Sequence, residues 1–244
     1  MPHEIKGRAA GLICVAIARP DISAAIQAAH QARPLADVIE IRLDSLTEPA
    51  IAPFIQAIAT PLLFTNRPRW EGGQCGEPEE KRLDLLRQAV QEGAAYVDIE
   101  LNSDQAAVQR LCEAARQKGG TKVIISWHNF SETPGAAVLD DIFSRQLSSG
   151  AHIGKIVTMA HDFTDVLRVL QLQEQAHSQG FPLIAFCMGR AGMISRLATL
   201  ELGGFMTYAA SNAGEATAPG QLAALELINW LELINCLKSF NHAD

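Results

Sequence analysis

Val38-Ile-Glu-Ile-Arg-Leu-Asp44 is the stretch that decides the fold, because from Ile39 onward its side chains alternate between aliphatic and charged residues. A period of two puts the aliphatic and the charged sets on opposite faces of a β-strand. The same alternation recurs in Tyr96-Val-Asp-Ile-Glu-Leu101. Both segments are therefore predicted to be strands that bury an aliphatic face against helices and turn a charged face the other way.

Eight short runs rich in aliphatic and β-branched residues predict eight strands, with helical periodicity between them. Strands that alternate with helices pair in parallel, and eight such units fit a closed (β/α)8 TIM barrel. We expect this α/β fold as a single domain over residues 1–244, with a doubly wound open sheet as the alternative. The predicted strands are Gly11–Ala18, Val38–Asp44, Pro61–Arg67, Tyr96–Leu101, Lys122–His128, Ile153–Ala160, Pro182–Gly189 and Phe205–Ser211, and the predicted helices include Ile22–Arg33, Glu79–Glu92, Asp104–Lys118, Thr164–Ser178 and Gln221–Phe240.

Composition limits the partners and the location of the chain. Its 244 residues are 48% hydrophobic and carry a net charge of −7, so we expect a soluble protein with no nucleic-acid or anionic-membrane partner. Five widely spaced cysteines predict reduced thiols. The first residues contain no apolar signal core, and no apolar run is long enough to span a membrane. These features predict a cytoplasmic location.

Polar side chains of one parity are predicted to point into the barrel from several strands. Buried charges are costly unless they are paired or hydrated, so a structural ion-pair network near one rim is one explanation. Their concentration near the carboxyl ends of the strands favours an active site, because barrel enzymes place their active sites there. The set comprises Glu40, Arg42, Asp44, Thr65, Arg67, Asp98, Glu100, Ser126 and His128.

Lys155 is the sharpest single signal, because it lies among aliphatic residues in the middle of a predicted strand and the chain has only six lysines. It could be the ion-pair partner of an inward carboxylate. The functional interpretation is an amine that forms a Schiff base with a carbonyl substrate. Desolvation and cations such as Arg42 or Arg67 would supply neutral amine.

His128 ends the fifth predicted strand, one strand away from Lys155. A lone histidine is more often structural than catalytic, but an imidazole there could take and return a proton near neutral pH. No histidine pair has the spacing of metal ligands, so we expect no metal and no other cofactor.

Three loops could complete a site. Arg67–Gly76 is rich in glycine, but Glu71 disfavours a bound phosphate, and we interpret it as a charged loop at the barrel mouth. Arg196 follows the seventh strand, in a region that often binds phosphate in barrels, and it could equally clamp a carboxylate. Thr217–Gln221 could be only a capped helix start, or a ligand could bind there.

With these segments in place, the chain resembles type I 3-dehydroquinate dehydratase (3-dehydroquinase). Each motif is weak alone, but six occur in order at the expected strand ends. They are Ile39-Glu-Ile-Arg-Leu-Asp44, Arg67-Pro-Arg-Trp-Glu-Gly-Gly73, Ser126-Trp-His-Asn-Phe-Ser-Glu-Thr-Pro134, Gly150-Ala-His-Ile-Gly-Lys-Ile-Val157, Met188-Gly-Arg-Ala-Gly-Met-Ile-Ser-Arg196 and Ala218-Pro-Gly-Gln221.

The resemblance implies cofactor-free dehydration of 3-dehydroquinate to 3-dehydroshikimate in the shikimate pathway, in an enzyme that could be a homodimer. Lys155 would form the Schiff base, His128 would be the acid–base group, and Glu71 would orient His128. The remaining implied contacts are Arg196 and Gln221 to the carboxylate, Glu40, Arg42 and Arg67 to hydroxyls, Met188 and Phe130 as walls, and Thr217 in place of a usual serine. Asp98 belongs to none of these motifs. Its inward-facing position in the predicted strand is the reason to expect it behind the groups that contact the substrate.

Two departures and two rivals qualify this hypothesis. Ala16 stands where a small hydroxyl residue is common, so Ala16 and Thr217 bear on substrate affinity more than on the reaction class. A class I Schiff-base aldolase would share the lysine, but a phosphorylated substrate would need more cations than Arg190 and Arg196. A non-catalytic barrel that binds a carboxylate would not need the lysine and the histidine together.

Overall fold

Eight parallel strands form at the eight predicted positions, with ends that differ from the prediction by at most two residues. The computed structural model describes residues 11–212 and 214–240. The predicted (β/α)8 barrel is confirmed. The strands are β1 (Leu12–Ile17), β2 (Val38–Arg42), β3 (Leu62–Thr65), β4 (Tyr96–Glu100), β5 (Lys122–Asn129), β6 (Ile153–Met159), β7 (Leu183–Met188) and β8 (Met206–Ala210).

The strands follow one another around the sheet in chain order, and β8 pairs with β1. Between β7 and β8 the ring is joined at the amino-terminal ends by a hydrogen bond from Phe205 N to Leu183 O, 2.8 Å long. The carboxyl ends of all eight strands therefore meet at one rim, where a barrel enzyme binds its substrate.

The helices of the described residues surround this ring. Three begin at an aspartate whose carboxylate accepts backbone N–H groups of the first turn: Asp21, Asp104 and Asp162. The helices are α1 (Ile22–Ala32), α2 (Ala52–Ala57), α3 (Glu79–Gln91), α4 (Gln105–Lys118), α5 (Ala136–Ser148), α6 (Phe163–Leu170), α7 (Leu172–Ser178), α8 (Gly189–Gly192), α9 (Ser195–Glu201) and α10 (Ala224–Phe240).

Two helix predictions were wrong in their bounds. Thr164–Ser178 is not one helix, because the turn at Gln171 is tightened: Glu174 N donates to Gln171 O three residues back. The last helix begins at Ala224 rather than Gln221, because Ala210 N donates to Leu222 O (2.9 Å) and Ala223 bridges to Ala210. Gln221 therefore lies before the helix, at the end of a turn in which its N–H donates to Ala218 O at 3.3 Å.

The alternation in β2 and β4 has the predicted consequence. Ile39, Ile41, Val97 and Ile99 are fully buried and pack in the layer between strands and helices. The inner face is divided into two levels. Its amino-terminal level is apolar and contains Cys14, Val38, Leu63, Ile124, Ile153, Ile184 and Met206.

The charged level lies above that apolar floor, toward the rim. One prediction there was wrong: β2 ends at Arg42 instead of Asp44, because Leu43–Ser45 forms a short 3-10 turn. The turn lets the Asp44 carboxylate accept the backbone N–H groups of Arg67 (3.2 Å) and Gln74 (3.0 Å), so Asp44 anchors the loop that follows β3.

Two predictions about the whole chain, the lack of a membrane-spanning segment and the single domain, can be compared only with the residues that the structure describes. Within residues 11–212 and 214–240, every helix is too short or too polar to cross a lipid bilayer. Residues 1–10, 213 and 241–244 lie outside the described part, so a single domain over all of residues 1–244 stays a prediction.

Candidate active site

A cavity opens at the carboxyl ends of the strands. All eleven residues proposed above for catalysis or substrate binding line it, whereas Asp98 lies behind Lys155. The lining residues are Glu40, Arg42, Arg67, Glu71, Gly72, His128, Phe130, Lys155, Val157, Phe186, Met188, Arg196, Tyr208, Thr217, Ala218 and Gln221.

Lys155 lies in the middle of β6 and reaches the cavity with a side chain that is only 5% exposed. Its Nζ is 3.1 Å from Asp98 Oδ2 and 4.1 Å from the centre of the Tyr208 ring. A carboxylate and an aromatic face both stabilise a positive charge on this nitrogen. The amine is thus enclosed, paired and next to the space that a ligand would fill.

Asp98 links Lys155 to Arg67, because both cations contact the same carboxylate oxygen. Arg67 Nη2 lies 2.8 Å from Asp98 Oδ2, and Ser126 Oγ donates to Asp98 Oδ1. Burial opposes ionisation of Asp98, but Arg67 and Lys155 outweigh it and lower the pKa of the carboxyl. Arg67 also contacts Glu100 through Nη1 at 2.6 Å. The buried charges of Arg67, Asp98, Glu100 and Lys155 are therefore matched with opposite charges.

His128 ends β5 against Glu71, which lies in a 3-10 turn (Arg69–Glu71) after β3. Glu71 Oε1 lies 2.9 Å from His128 Nδ1, and it accepts the backbone N–H of His128 at 2.9 Å. Burial, with Arg67 and Lys155 nearby, holds the pKa of His128 well below its usual value. Burial raises the pKa of Glu71 to about 8. The imidazole is therefore neutral at neutral pH.

Two glycines allow the β3 loop to hold Glu71 in place. A Cβ on Gly73 would lie 2.0 Å from Arg67 O, and Gly72 has φ +77° with its Cβ position 2.3 Å from the Phe130 ring. The loop closes through a hydrogen bond from Cys75 N to Arg67 O, 3.1 Å long. Glu71 is only 4% exposed, so this part of the charged mouth loop is buried.

Arg196 is a buried cation that no carboxylate of the described residues pairs with. Its guanidinium donates to the backbone oxygens of Tyr208 and Pro219 at 3.4 Å and lies 4.6 Å from the centre of the Phe186 ring. Burial lowers its pKa to about 10, so it is charged at neutral pH. A buried positive charge that still lacks a counter-charge is suited to bind an anion.

The segment after β8 supplies an amide beside this cation. Thr217 N and Thr217 Oγ1 both donate to Gln221 Oε1, at 2.7 and 3.1 Å. The oxygen of Gln221 is thereby used within the loop. Its amide NH2 group is the end that remains to donate to a ligand in the cavity.

Glu40 and Arg42 line the wall formed by β2. Glu40 is 4% exposed and accepts from Thr65 Oγ1 at 2.7 Å. Arg42 donates from Nε to Asp44 Oδ1 at 2.8 Å and from Nη2 to Asp44 Oδ2 at 2.7 Å. Met188 forms an apolar wall, and Phe130, 42% exposed, stands at the mouth with its ring stacked near His128.

Five of the lining residues have no site role predicted from the sequence: Gly72, Val157, Phe186, Tyr208 and Ala218. Parity could have found three of them, since Val157, Phe186 and Tyr208 lie two residues from the inward-facing positions 155, 188 and 206. Among the described residues, no group of three His, Cys, Asp or Glu side chains could hold a metal ion. Cys14, Cys75, Cys112 and Cys187 are free thiols.

Comparison with known proteins adds the family. The model of the family Type I 3-dehydroquinase matches residues 13–238. The chain belongs to the type I 3-dehydroquinase family. Its relatives include 3-dehydroquinate dehydratase from Desulfotalea psychrophila, 45% identical over 88% of this chain and 94% of that protein. This chain is accordingly a hydro-lyase of the 3-dehydroquinate dehydratase class, and the resemblance stated from the motifs is confirmed.

Solved structures of 3-dehydroquinases have the same fold. The type I enzyme from Clostridium difficile, crystallised with covalently modified comenic acid, has a TM-score of 0.84 and 28% identity, covering 94% of this chain and 93% of that one. The enzyme from Geobacillus kaustophilus has a TM-score of 0.85 and 27% identity, covering 93% and 91%. The roles of individual residues in this 3-dehydroquinase stay predictions.

Replacing Arg196 with methionine should raise KM for 3-dehydroquinate about 10- to 100-fold, the loss expected for a hydrogen-bonded charge pair. The melting temperature should not fall, because the substitution removes a buried charge that lacks a counter-charge. Steady-state kinetics and thermal unfolding measure both. Arg190→Met is the matched control: Arg190 is exposed in the neighbouring helix, and its loss should leave KM unchanged. An unchanged KM in Arg196→Met would exclude Arg196 as the carboxylate site.

Proposed function

We propose that this 3-dehydroquinase dehydrates 3-dehydroquinate to 3-dehydroshikimate through a Schiff base on Lys155. The observation that carries the proposal is the shared cavity: an enclosed lysine amine faces the same space as a carboxylate-linked imidazole and an unpaired guanidinium. An amine, an acid–base group and an anion site are the three parts that this reaction requires.

The covalent step uses the neutral amine as the nucleophile. The ammonium of Lys155 first gives a proton to His128, and its Nζ then attacks the C3 carbonyl of the substrate. A proton moves from nitrogen to oxygen to complete the carbinolamine, the imidazolium of His128 protonates the carbinolamine hydroxyl, and loss of water leaves an iminium ion. The contact between Nζ and Asp98, at 3.1 Å, supplies a negative charge next to the positive nitrogen. The Tyr208 ring, 4.1 Å from Nζ, adds its negative face. The iminium withdraws electrons and acidifies the C2–H bond.

Proton transfer is assigned to His128. Its Nε2 accepts the C2 proton, and the electron pair moves into an enamine on the lysine nitrogen. The enamine then expels the C1 hydroxyl, which leaves as water after the imidazolium returns a proton. Water hydrolyses the conjugated iminium, which releases 3-dehydroshikimate and the free amine. The dehydration therefore needs no redox step.

Glu71 sets the tautomer of the imidazole. When its carboxylate is ionised, it accepts the Nδ1–H of His128, so that Nε2 keeps a free lone pair. When the carboxyl is protonated, it donates to Nδ1 instead, and the ring proton moves to Nε2. Only the ionised form of Glu71 leaves His128 able to act as a base.

The other cavity residues are assigned to substrate recognition. Arg196, with the Gln221 amide, binds the substrate carboxylate, and Thr217 holds the Gln221 side chain by its oxygen. Glu40, Arg42 and Arg67 contact ring hydroxyls, while Met188 and Phe130 wall the ring.

The assignment places the enzyme in the shikimate pathway. A homodimer, a cytoplasmic location and the absence of a cofactor stay predictions. An aldolase would break a C–C bond and produce no enone, and a carboxylate-binding barrel would turn nothing over. The appearance of the conjugated enone therefore separates the proposal from both rivals.

Lys155→Ala should abolish turnover of 3-dehydroquinate, because no other enclosed amine lines the cavity within the described residues. Binding of 3-dehydroshikimate, measured by calorimetry, should stay within about tenfold of wild type, since the carboxylate site is untouched. Turnover is followed by absorbance of the conjugated enone. Lys122→Ala is the control, because Lys122 is exposed at the opposite end of a strand. Turnover by Lys155→Ala would refute the mechanism.

The pH profile of kcat should rise as a single proton is lost near pH 8, where Glu71 ionises. Below this pH the protonated Glu71 donates to Nδ1 and His128 lacks a free Nε2; above it the base is formed. Glu71→Gln should remove this limb, because the glutamine oxygen accepts the Nδ1–H at every pH. Its kcat should be about tenfold lower or more, because a neutral partner weakens the base. An unchanged limb in Glu71→Gln would assign the titration to another group.

A further inference from the structure

Arg82 is a buried arginine that does not line the cavity. It lies in α3, 1% exposed, and its guanidinium reaches back to the ends of the strands. Nη1 lies 2.6 Å from Glu100 Oε2, and Nε and Nη2 bind both carboxylate oxygens of Glu79 at 2.8 Å. The guanidinium also donates to Asn66 O and Ser103 Oγ, at 2.9 and 3.0 Å.

These contacts do more than attach α3 to the barrel, because the other carboxylate oxygen of Glu100 contacts a second arginine. Glu100 is fully buried, and its Oε1 lies 2.6 Å from Arg67 Nη1. Arg67 in turn shares the Asp98 oxygen that contacts Lys155 Nζ. Opposite charges thus alternate without a break over six side chains, which we call the ion-pair chain: Glu79, Arg82, Glu100, Arg67, Asp98 and Lys155.

We infer that Arg82 is a positioning residue for the reaction: by holding the Glu100 carboxyl between two guanidinium groups, it fixes Arg67 and, through Asp98, the reactive amine. The inference rests on the proposed function of Lys155. Arg82 touches neither the amine nor the cavity, so its influence on the chemistry passes through Glu100, and through Asn66, whose backbone oxygen it holds next to Arg67.

Loss of Arg82 would leave Glu100 with a single cation. Burial already raises the pKa of Glu100, and Arg67 and Arg82 act to lower it. Without Arg82 the carboxyl would take up a proton, and Arg67 would lose its ionic partner at Glu100. The arrangement around Nζ would then change, although no group in contact with the substrate has been altered.

Glu100 also influences the proton that controls His128. The negative charge of Glu100 helps to keep the pKa of Glu71 high, after burial as the main cause. Neutralising Glu100 should therefore move the ionisation of Glu71 to lower pH. The charged and titratable groups that act on this part of the cavity are Cys14 on β1, Glu40 and Arg42 on β2, Arg67 after β3, Asp98 and Glu100 on β4, His128 on β5, Lys155 on β6 and Tyr208 on β8.

The test compares Arg82→Met with Arg87→Met in the full chain. Arg87 lies in the same helix, pairs with Asp84 at the surface, and should be replaceable without effect. For Arg82→Met we expect kcat to fall about 10- to 100-fold, the effect of a small misplacement of a reacting group. The rising limb of the pH profile should move down by about one unit, as expected when a nearby buried charge is lost.

Two further variants keep the inference testable if Arg82→Met does not fold. Glu100→Gln preserves the shape but removes the charge, and it should move the limb in the same direction. Arg82→Lys restores a cation facing Glu100, and it should return the limb to within about 0.3 units of wild type. A residue that served only stability would change the melting temperature and the yield, while the pH profile of the folded fraction stayed in place.

The outcomes separate this inference from the proposed function. Turnover by Lys155→Ala would refute both the proposed function and the inference about Arg82. Normal dependence on Lys155, together with an unshifted or upward-shifted limb in both Arg82→Met and Glu100→Gln, would overturn only the role of Arg82. If Arg82→Met does not fold, Glu100→Gln and Arg82→Lys decide: an unshifted Glu100→Gln limb overturns the role.

Discussion

The rest of the site depends on one carboxylate, that of Asp98, which holds two cations inside the barrel. Arg67 and Lys155 both contact its Oδ2, at 2.8 and 3.1 Å, in a region with almost no exposure to water. Removing one member of a buried pair costs about 3–5 kcal/mol, because the remaining charge is left without compensation. The amine can therefore be kept out of solvent only as part of this group, and the position of β4 fixes where it stands.

The two levels of the barrel interior have different tasks: the apolar level contributes stability, and the charged level carries the reactive groups. The apolar level at the amino-terminal ends packs like an ordinary core, and the charged level above it contains the ion pairs. Arg196 differs from the ion-paired arginines of this level, since the described residues offer it backbone oxygens and an aromatic face but no carboxylate. The interior cations Arg42, Arg67 and Lys155 each contact a carboxylate and Arg196 does not, so Arg196 is suited to receive an anion from outside.

Much of this could be predicted from the sequence, because strand periodicity and the order of strands and helices are local properties. Parity in β2 and β4 placed Glu40 and Asp98 inside the barrel correctly. What escaped prediction depends on contacts between distant segments. The start of α10 is set by pairing with Ala210, and the turn at Asp44 serves the backbone of the β3 loop. Arg82 carries no motif, and its partner Glu100 lies on another element. The sequence predicts a strand at Tyr208, but the contact of its ring with Lys155 becomes evident only in three dimensions.

The central claim is that the enclosed amine becomes covalently bound to the substrate, and a trapping experiment tests it most directly. Borohydride reduction in the presence of 3-dehydroquinate, followed by peptide mass spectrometry, should give a stable adduct on the peptide that contains Lys155 and on no other lysine. The same treatment without substrate should leave the chain unmodified. An active enzyme whose Lys155 peptide keeps its unmodified mass after reduction with substrate would contradict the account.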